Sequence, residues 1–228
     1  MKNSKILFLS FCLSLVCAVE TASAQQNQGI TFEDGVVAVK DLPKPTISDD
    51  LVLLNVPHIK QRPWHCVPTS AAMVIRYFGG NVGPDQLKKL AEAEKPIEER
   101  NVKFTLWNDL LPVMKTNSLD WKIKGYPKTI EGYENGLADL KASLRKDLPV
   151  LMDVHMGNGH TFVVIGFDDH QEKIYIRDPS LPGNQARVLT YDQIQRHWHN
   201  HRFGNNRSLF FTARLEKSDS NSEKRKGT

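Results

Sequence analysis

Gln61-Arg62-Pro63-Trp64-His65-Cys66-Val67-Pro68-Thr69-Ser70-Ala71-Ala72-Met73-Val74-Ile75-Arg76-Tyr77-Phe78-Gly79-Gly80 is the stretch on which the fold turns. From Pro68 to Phe78 it reads as a helix, because proline suits a first turn and Gly79-Gly80 supplies the stop. Ala71, Ala72, Val74, Ile75 and Phe78 give it an apolar face too broad for a surface element, so it belongs in the middle of the core. Cys66 stands at or next to its N-terminus. Unsatisfied N–H groups and the helix dipole there stabilise negative charge and favour a thiolate. A cysteine in that position either packs as a small hydrophobe or acts as a nucleophile, and the flanking sequence has to discriminate.

Upstream, Leu51 to Val56 is an apolar strand closed by Pro57. Downstream, Pro84 to Ala93 and Thr105 to Lys115 are helix candidates, with Pro112 expected to kink or shorten the second. Trp121 to Gly125 is a short strand, and Leu137, Leu140 and Leu144 mark one face of a helix ending near Lys146. The second half changes character. Pro149 to Val154, Thr161 to Phe167, Lys173 to Arg177 and Ser208 to Leu215 are Val-, Ile- and Phe-rich runs separated by turn residues, and Tyr191 to Trp198 adds a late short helix. Helices first and closely connected strands later predict an α+β domain, N-terminal helices packed on an antiparallel β-sheet.

A thiolate needs a proton acceptor. His160 follows the flexible Gly157-Asn158-Gly159 turn at the start of one predicted strand, and Asp178 ends the next. Counted from the intervening turn at Asp168 to Gln171 the two are nearly symmetric, which predicts that they lie opposite each other across a hairpin. A carboxylate beside an imidazole fixes its tautomer and stabilises its charged form.

The chain has 228 residues, enough for one sizeable core, and 30 basic against 26 acidic residues give a net charge of +4 without the dense basic blocks of a nucleic-acid binder. Its longest apolar run, Ile6 to Val19, is too short to span a bilayer. With Lys2 and Lys5 ahead and Ala22-Ser23-Ala24 behind, it reads as a secretory signal over residues 1–24, so export to the periplasm or beyond is expected, with no stable membrane insertion after cleavage. Of the three cysteines, Cys12 and Cys17 leave with that segment. Cys66 then has no internal disulfide partner, and an unpaired thiol in an oxidising compartment asks for a reason. Residues 25–50, acidic and holding Pro43 and Pro45, read as an extended lead-in; residues 51–215 form the domain; residues 216–228 read as a disordered charged tail.

The segments around Cys66, His160 and Asp178 resemble the peptidase C39-like family of papain-like cysteine peptidases. The likeness is carried by Val56-Pro57, Gln61 through Met73, Tyr77-Phe78-Gly79, Gly159-His160-Thr161-Phe162-Val163-Val164-Ile165-Gly166-Phe167-Asp168 and Ile176-Arg177-Asp178-Pro179. The resemblance implies a papain-like fold, Cys66 as nucleophile, His160 as general base and acid, Asp178 as its orienting partner, and Gln61 with the Cys66 N–H as oxyanion donors. Two departures touch the oxyanion hole: Val67 stands where many relatives have glycine, and the Gln61-to-Cys66 interval is one residue short of the commonest papain-like spacing. Trimming of leader peptides after paired glycines belongs to relatives attached to transporters and is not carried over.

The expected activity is hydrolysis of a peptide or amide bond in a peptide or protein substrate through a Cys66 thioester, with no cofactor and no metal. Acyl transfer on the same fold and a catalytically silent peptide-binding module are the competing readings. His58, His65 and His155 receive no role. Alternate spacing would put His197, His199 and His201 on one face if the segment were a strand, but no neighbouring cysteine or acidic pair completes a metal site; Trp198 and Phe203 are expected to cap the core. Oligomeric state is not readable from the sequence.

Overall fold

The computed structural model describes residues 31–214, apart from 32, 94, 101–102, 115–118 and 200–205. The expected signal segment, the charged tail, His201 and Phe203 lie outside the described residues. Nine strands run β1 (Val36–Ala38), β2 (Thr46–Ile47), β3 (Leu51–Leu53), β4 (Leu119–Tyr126), β5 (Val150–Val154), β6 (His160–Asp168), β7 (Lys173–Arg177), β8 (Gln185–Thr190) and β9 (Arg207–Arg214). The helices are α1 (Cys66–Tyr77), α2 (Pro84–Ala93), α3 (Trp107–Met114), α4 (Ile130–Arg145) and α5 (Tyr191–His197). Every strand pairing is antiparallel, and the order across the sheet is β1-β8-β7-β6-β5-β9-β4. The long β6 also takes β3 at Gly166 to Asp168, beyond the part of it that pairs with β5, and β2 adds to β3.

The predicted α+β class is therefore the observed one, with several differences. The central helix begins two residues before the expected Pro68, so Cys66 is its first residue, and it ends where Gly79, at φ +85°, accepts a left-handed conformation that a side chain would resist. Its residues Val67 through Ile75 are all buried. The helix α4 starts at Ile130, capped by the Thr129 hydroxyl, which accepts from the Gly132 N–H at 3.0 Å. Part of the lead-in enters the sheet as β1, edge to edge with β8, a strand not anticipated from sequence. Trp198 is fully buried against the rings of Tyr126 and Tyr133, and its indole N–H donates to the Ser208 carbonyl at 3.1 Å.

Register decides which side chains meet. Between β6 and β7 it slips by one at Ile165, from Gly166↔Tyr175 to Val164↔Ile176. The extra residue is a bulge, whose carbonyl is taken by the Leu54 N–H at 2.8 Å. Gly166 beside it is required by close approach of β3, since a Cβ there would stand 2.1 Å from the Val52 oxygen. Past the slip, Asp178 extrapolates to a place opposite Phe162, on the same face as His160. Without the slip it would oppose Val163 and point away. The expected pairing of His160 directly across from Asp178 is thus corrected to a diagonal one. The same face continues through Ile176↔Arg187 to Arg187 on β8. The opposite face holds Asp153 with Thr161, and Leu151, Phe210 and Ile123 in cross-strand register.

Candidate active site

The first helical turn of α1 presents Cys66 to the β5–β6 end of the sheet. Thr69 is the first amide bonded within the helix, to the His65 carbonyl at 3.0 Å, and Pro68 has no N–H, so the amides of Cys66 and Val67 lead the helix. Trp64, two residues earlier, holds φ at +67°, a backbone strain that a bulky residue tolerates only where its surroundings dictate it.

His160 is 4% exposed and Asp178 fully buried, and the ring Nε2 lies 2.7 Å from Asp178 Oδ1. With Nε2 so engaged, Nδ1 is the nitrogen left for the Cys66 thiol, which lines the same cavity as the ring. Burial opposes a charge on this ring, but Asp178 and then Cys66 outweigh it and raise His160 to about 10, an imidazolium at neutral pH. Burial likewise pushes Asp178 up. His160, Arg187 and Ser180 together win and hold its carboxyl well below the usual range.

The surroundings of Asp178 contain more than sequence reasoning supplied. Oδ1 also accepts from the Ser180 N–H at 2.8 Å and hydroxyl at 2.7 Å, so the residue shapes the turn at Pro179 while it holds the imidazole. Oδ2 is taken by Arg187, whose Nε and Nη2 each lie 2.9 Å away. Nη1 of the same arginine donates to the backbone carbonyls of Thr31, at 3.3 Å, and Asp34. His58, which received no role, bonds through Nε2 to the Asp178 backbone carbonyl at 3.1 Å, and the Gln61 N–H donates to the Pro179 carbonyl at 2.9 Å. The loop before α1 is in this way tied to the loop after β7.

Cys66 and His160 line a cavity of about 500 Å³ together with Trp64, Trp107, Asp153 and Phe210, among others. Gln61 is outside that lining; its Oε1 is buried with no hydrogen-bond partner, and its Nε2 has none among the described residues. Asp153 was not singled out from sequence. It is 8% exposed, and burial raises its carboxyl to about 6 against the hydrogen bonds it accepts from Thr161 and Trp107 and the charge of His160. His197 ends α5, the expected late helix, and His199 follows the buried Trp198, so these two do not lie in the alternate strand spacing that would put their rings on one face. Among the described residues no three His, Cys, Asp or Glu side chains are grouped to hold a metal, and no helix is long and apolar enough to cross a membrane.

A cysteine opening a central helix, with a histidine opening one strand of an antiparallel sheet and a carboxylate directly after the next, is the plan of papain-like cysteine peptidases. Residues 53–205 match the Peptidase_C39 like family, and the chain belongs to that family. Among solved structures it is similar to the peptidase domain of Streptococcus ComA, a bi-functional ABC transporter involved in a quorum sensing pathway, at 19% identity over 70% of this chain and 99% of that one, with a TM-score of 0.51. Xylellain, a cysteine protease from Xylella fastidiosa, is similar at 12% identity over 82% of this chain and 96% of that one, with a TM-score of 0.50. No curated protein matches the chain.

Proposed function

We propose that this protein is an exported cysteine peptidase that hydrolyses a peptide bond through a Cys66 thioester. The observation that carries the reading is the buried pair in which Asp178 holds one ring nitrogen of His160 at 2.7 Å, with Cys66 lining the same cavity as that ring. An imidazolium facing the sulfur stabilises its thiolate, and the start of α1 adds to that. The thiolate attacks the substrate carbonyl. The Cys66 N–H donates to the oxyanion, and the Gln61 amide, whose Nε2 has no hydrogen-bond partner among the described residues, reaches in from beside the cavity as the second donor. His160 gives its proton to the leaving amine, the amine departs, and the ring then takes a proton from the water that hydrolyses the thioester. Asp178 stays ionised throughout and keeps the ring oriented.

The experiment is labelling of one sample of the exported protein with a thiol-directed electrophile and exposure of a second, unlabelled sample to a mixed peptide library. Supporting results are stoichiometric labelling at Cys66, cleavage products ending in free carboxylates, and loss of both in Cys66→Ala. An intact library, with a thiol no more reactive than in the denatured chain, would overturn the reading. The N-terminal residue of the exported protein, expected to be Gln25, tests the signal.

A further inference from the structure

The cavity beside Cys66 has a floor that does not follow from the hydrolytic machinery. Asp153 and Thr161 are cross-strand partners on the sheet face opposite the one that carries Phe162 and Arg187, and Phe210 and Ile123 continue that face across β9 and β4. All four line the cavity, with Trp107 stacked on Phe210 at 4.1 Å between ring centroids.

Two donors, the Trp107 indole N–H at 3.2 Å and the Thr161 hydroxyl, both meet Oδ1 of Asp153. They fix the carboxylate through Oδ1, and Oδ2 has no hydrogen-bond partner among the described residues. A carboxylate oxygen in a mostly buried, ring-lined cavity is poorly hydrated, and a group that brings a proton donor and a positive charge compensates it. The other ionisable groups lining the cavity are Cys66, His160, whose charge reaches Asp153 without a hydrogen bond to it, and Lys103, exposed and with no bond to Asp153 among the described residues.

The geometry points to a subsite for a basic side chain of the peptide substrate, a lysine or arginine whose methylene stem lies along Trp107, Phe210 and Ile123 and whose charge meets Oδ2 of Asp153. This inference rests on the peptidase reading above. The walls suit the stem as the floor suits the charge: Trp64, Phe104 and Ile123 are 52%, 38% and 45% exposed and border the cavity, giving apolar and ring surface over which a long cationic chain packs.

Two measurements test it and separate its failure from failure of the peptidase reading. The first is cleavage of matched peptides carrying lysine, norleucine or glutamate at each position near the scissile bond, by the wild-type protein and by Asp153→Asn, which keeps the Oδ1 acceptor for Trp107 and Thr161. A charge-assisted bond predicts that lysine exceeds norleucine by about 10- to 100-fold in kcat/KM at one position, with that ratio falling to near unity in the variant. A preference absent from the wild type, or retained by Asp153→Asn, overturns the proposal.

The second measurement needs no turnover: titration of full-length Cys66→Ala with hexylammonium and with hexanol, followed by the NMR signal of the Trp107 indole N–H. The cation should bind at least about tenfold more tightly than the alcohol, and Asp153→Asn should erase the difference. Equal binding of the two probes overturns the subsite. Cation-selective binding in a protein that cleaves no peptide would overturn the peptidase reading and leave the cation site standing.

Discussion

Arg187 grips Asp178 by the oxygen that His160 does not use, with Nε and Nη2 each 2.9 Å from Oδ2 and both side chains wholly withdrawn from solvent. Asp178 therefore serves two cations at once, and its removal exposes two defects, a loosened imidazole and a buried guanidinium without its counter-charge.

Replacing Arg187 with methionine should lower unfolding free energy by about 3–5 kcal/mol, the usual cost of breaking a buried ion pair from one side. The double variant Arg187→Met/Asp178→Asn should lose less than the sum of the two single changes, since the guanidinium and the carboxylate are removed together and only His160 is left without its partner. Urea unfolding of the four proteins checks this, and strict additivity would remove the coupling.

Asp178→Asn should cut peptide hydrolysis by roughly 10- to 1000-fold after correction for folded fraction, less than the approximately 10⁴-fold seen when a serine triad loses its carboxylate, because a thiol starts as a stronger nucleophile. Asp178→Ala should be worse, having neither an acceptor for the ring nor one for the Ser180 turn. Wild-type rates in the Asn variant would leave a Cys66–His160 dyad.

His160→Ala should slow iodoacetamide alkylation of Cys66 at pH 7 by about tenfold or more, because the thiolate loses its cation, while circular dichroism stays that of the folded protein. Unchanged alkylation would place the activating group elsewhere, with His155 the next to test.

Stability should respond to pH in opposite ways at the two acids. The contribution of His160 is fully present below its unfolded value of 6.5 and fades as pH rises through about 10, while that of Asp178 is present above 3.8 and is lost as pH falls through its depressed folded value. Asp153 runs the other way: its folded value, raised from 3.8 to about 6 by burial, makes its ionisation destabilising as pH climbs between the two. Asp153→Asn should accordingly gain roughly 3 kcal/mol relative to wild type on going from pH 3 to pH 8. Denaturant midpoints at both pH values measure it, and parallel behaviour of the two proteins would refute the shift.

Gly166→Ala should destabilise by about 1–3 kcal/mol, because the new methyl meets the Val52 backbone oxygen at 2.1 Å and β3 has to retreat. Calorimetry should show a lower Tm, and an unchanged Tm would mean that β3 yields without cost.

What was readable in the sequence were the features with a local signature. The apolar face from Ala71 to Phe78, the Gly79-Gly80 stop and the Val/Ile-rich runs of β5, β6 and β7 each carry their period or their punctuation. The likeness around Cys66, His160 and Asp178 identified the family. Arg187 stayed hidden because an arginine in Gln185-Ala186-Arg187-Val188-Leu189-Thr190 looks solvated until its carboxylate is known to sit beside it. The Ile165 bulge was equally unmarked, although Gly166 inside an apolar strand is the usual trace of a close backbone neighbour. Asp153, the one acid in the buried run Val150–Val154, was the clue most open to notice, since an acid among such neighbours needs partners.

The anchoring of Arg187 to Thr31 and Asp34 means that the unit which folds and the segment which matches the family have different borders. The match runs from 53 to 205. A chain cut to it would keep Gln61, Cys66, His160 and Asp178, yet forfeit the carbonyls that seat Arg187 and the whole of β9, which lies between β5 and β4 and, among the described residues, is the only strand paired with β4. Recombinant production should therefore begin no later than Thr31 and run through Arg214, and activity missing from a shorter fragment would report on its trimming rather than on its chemistry.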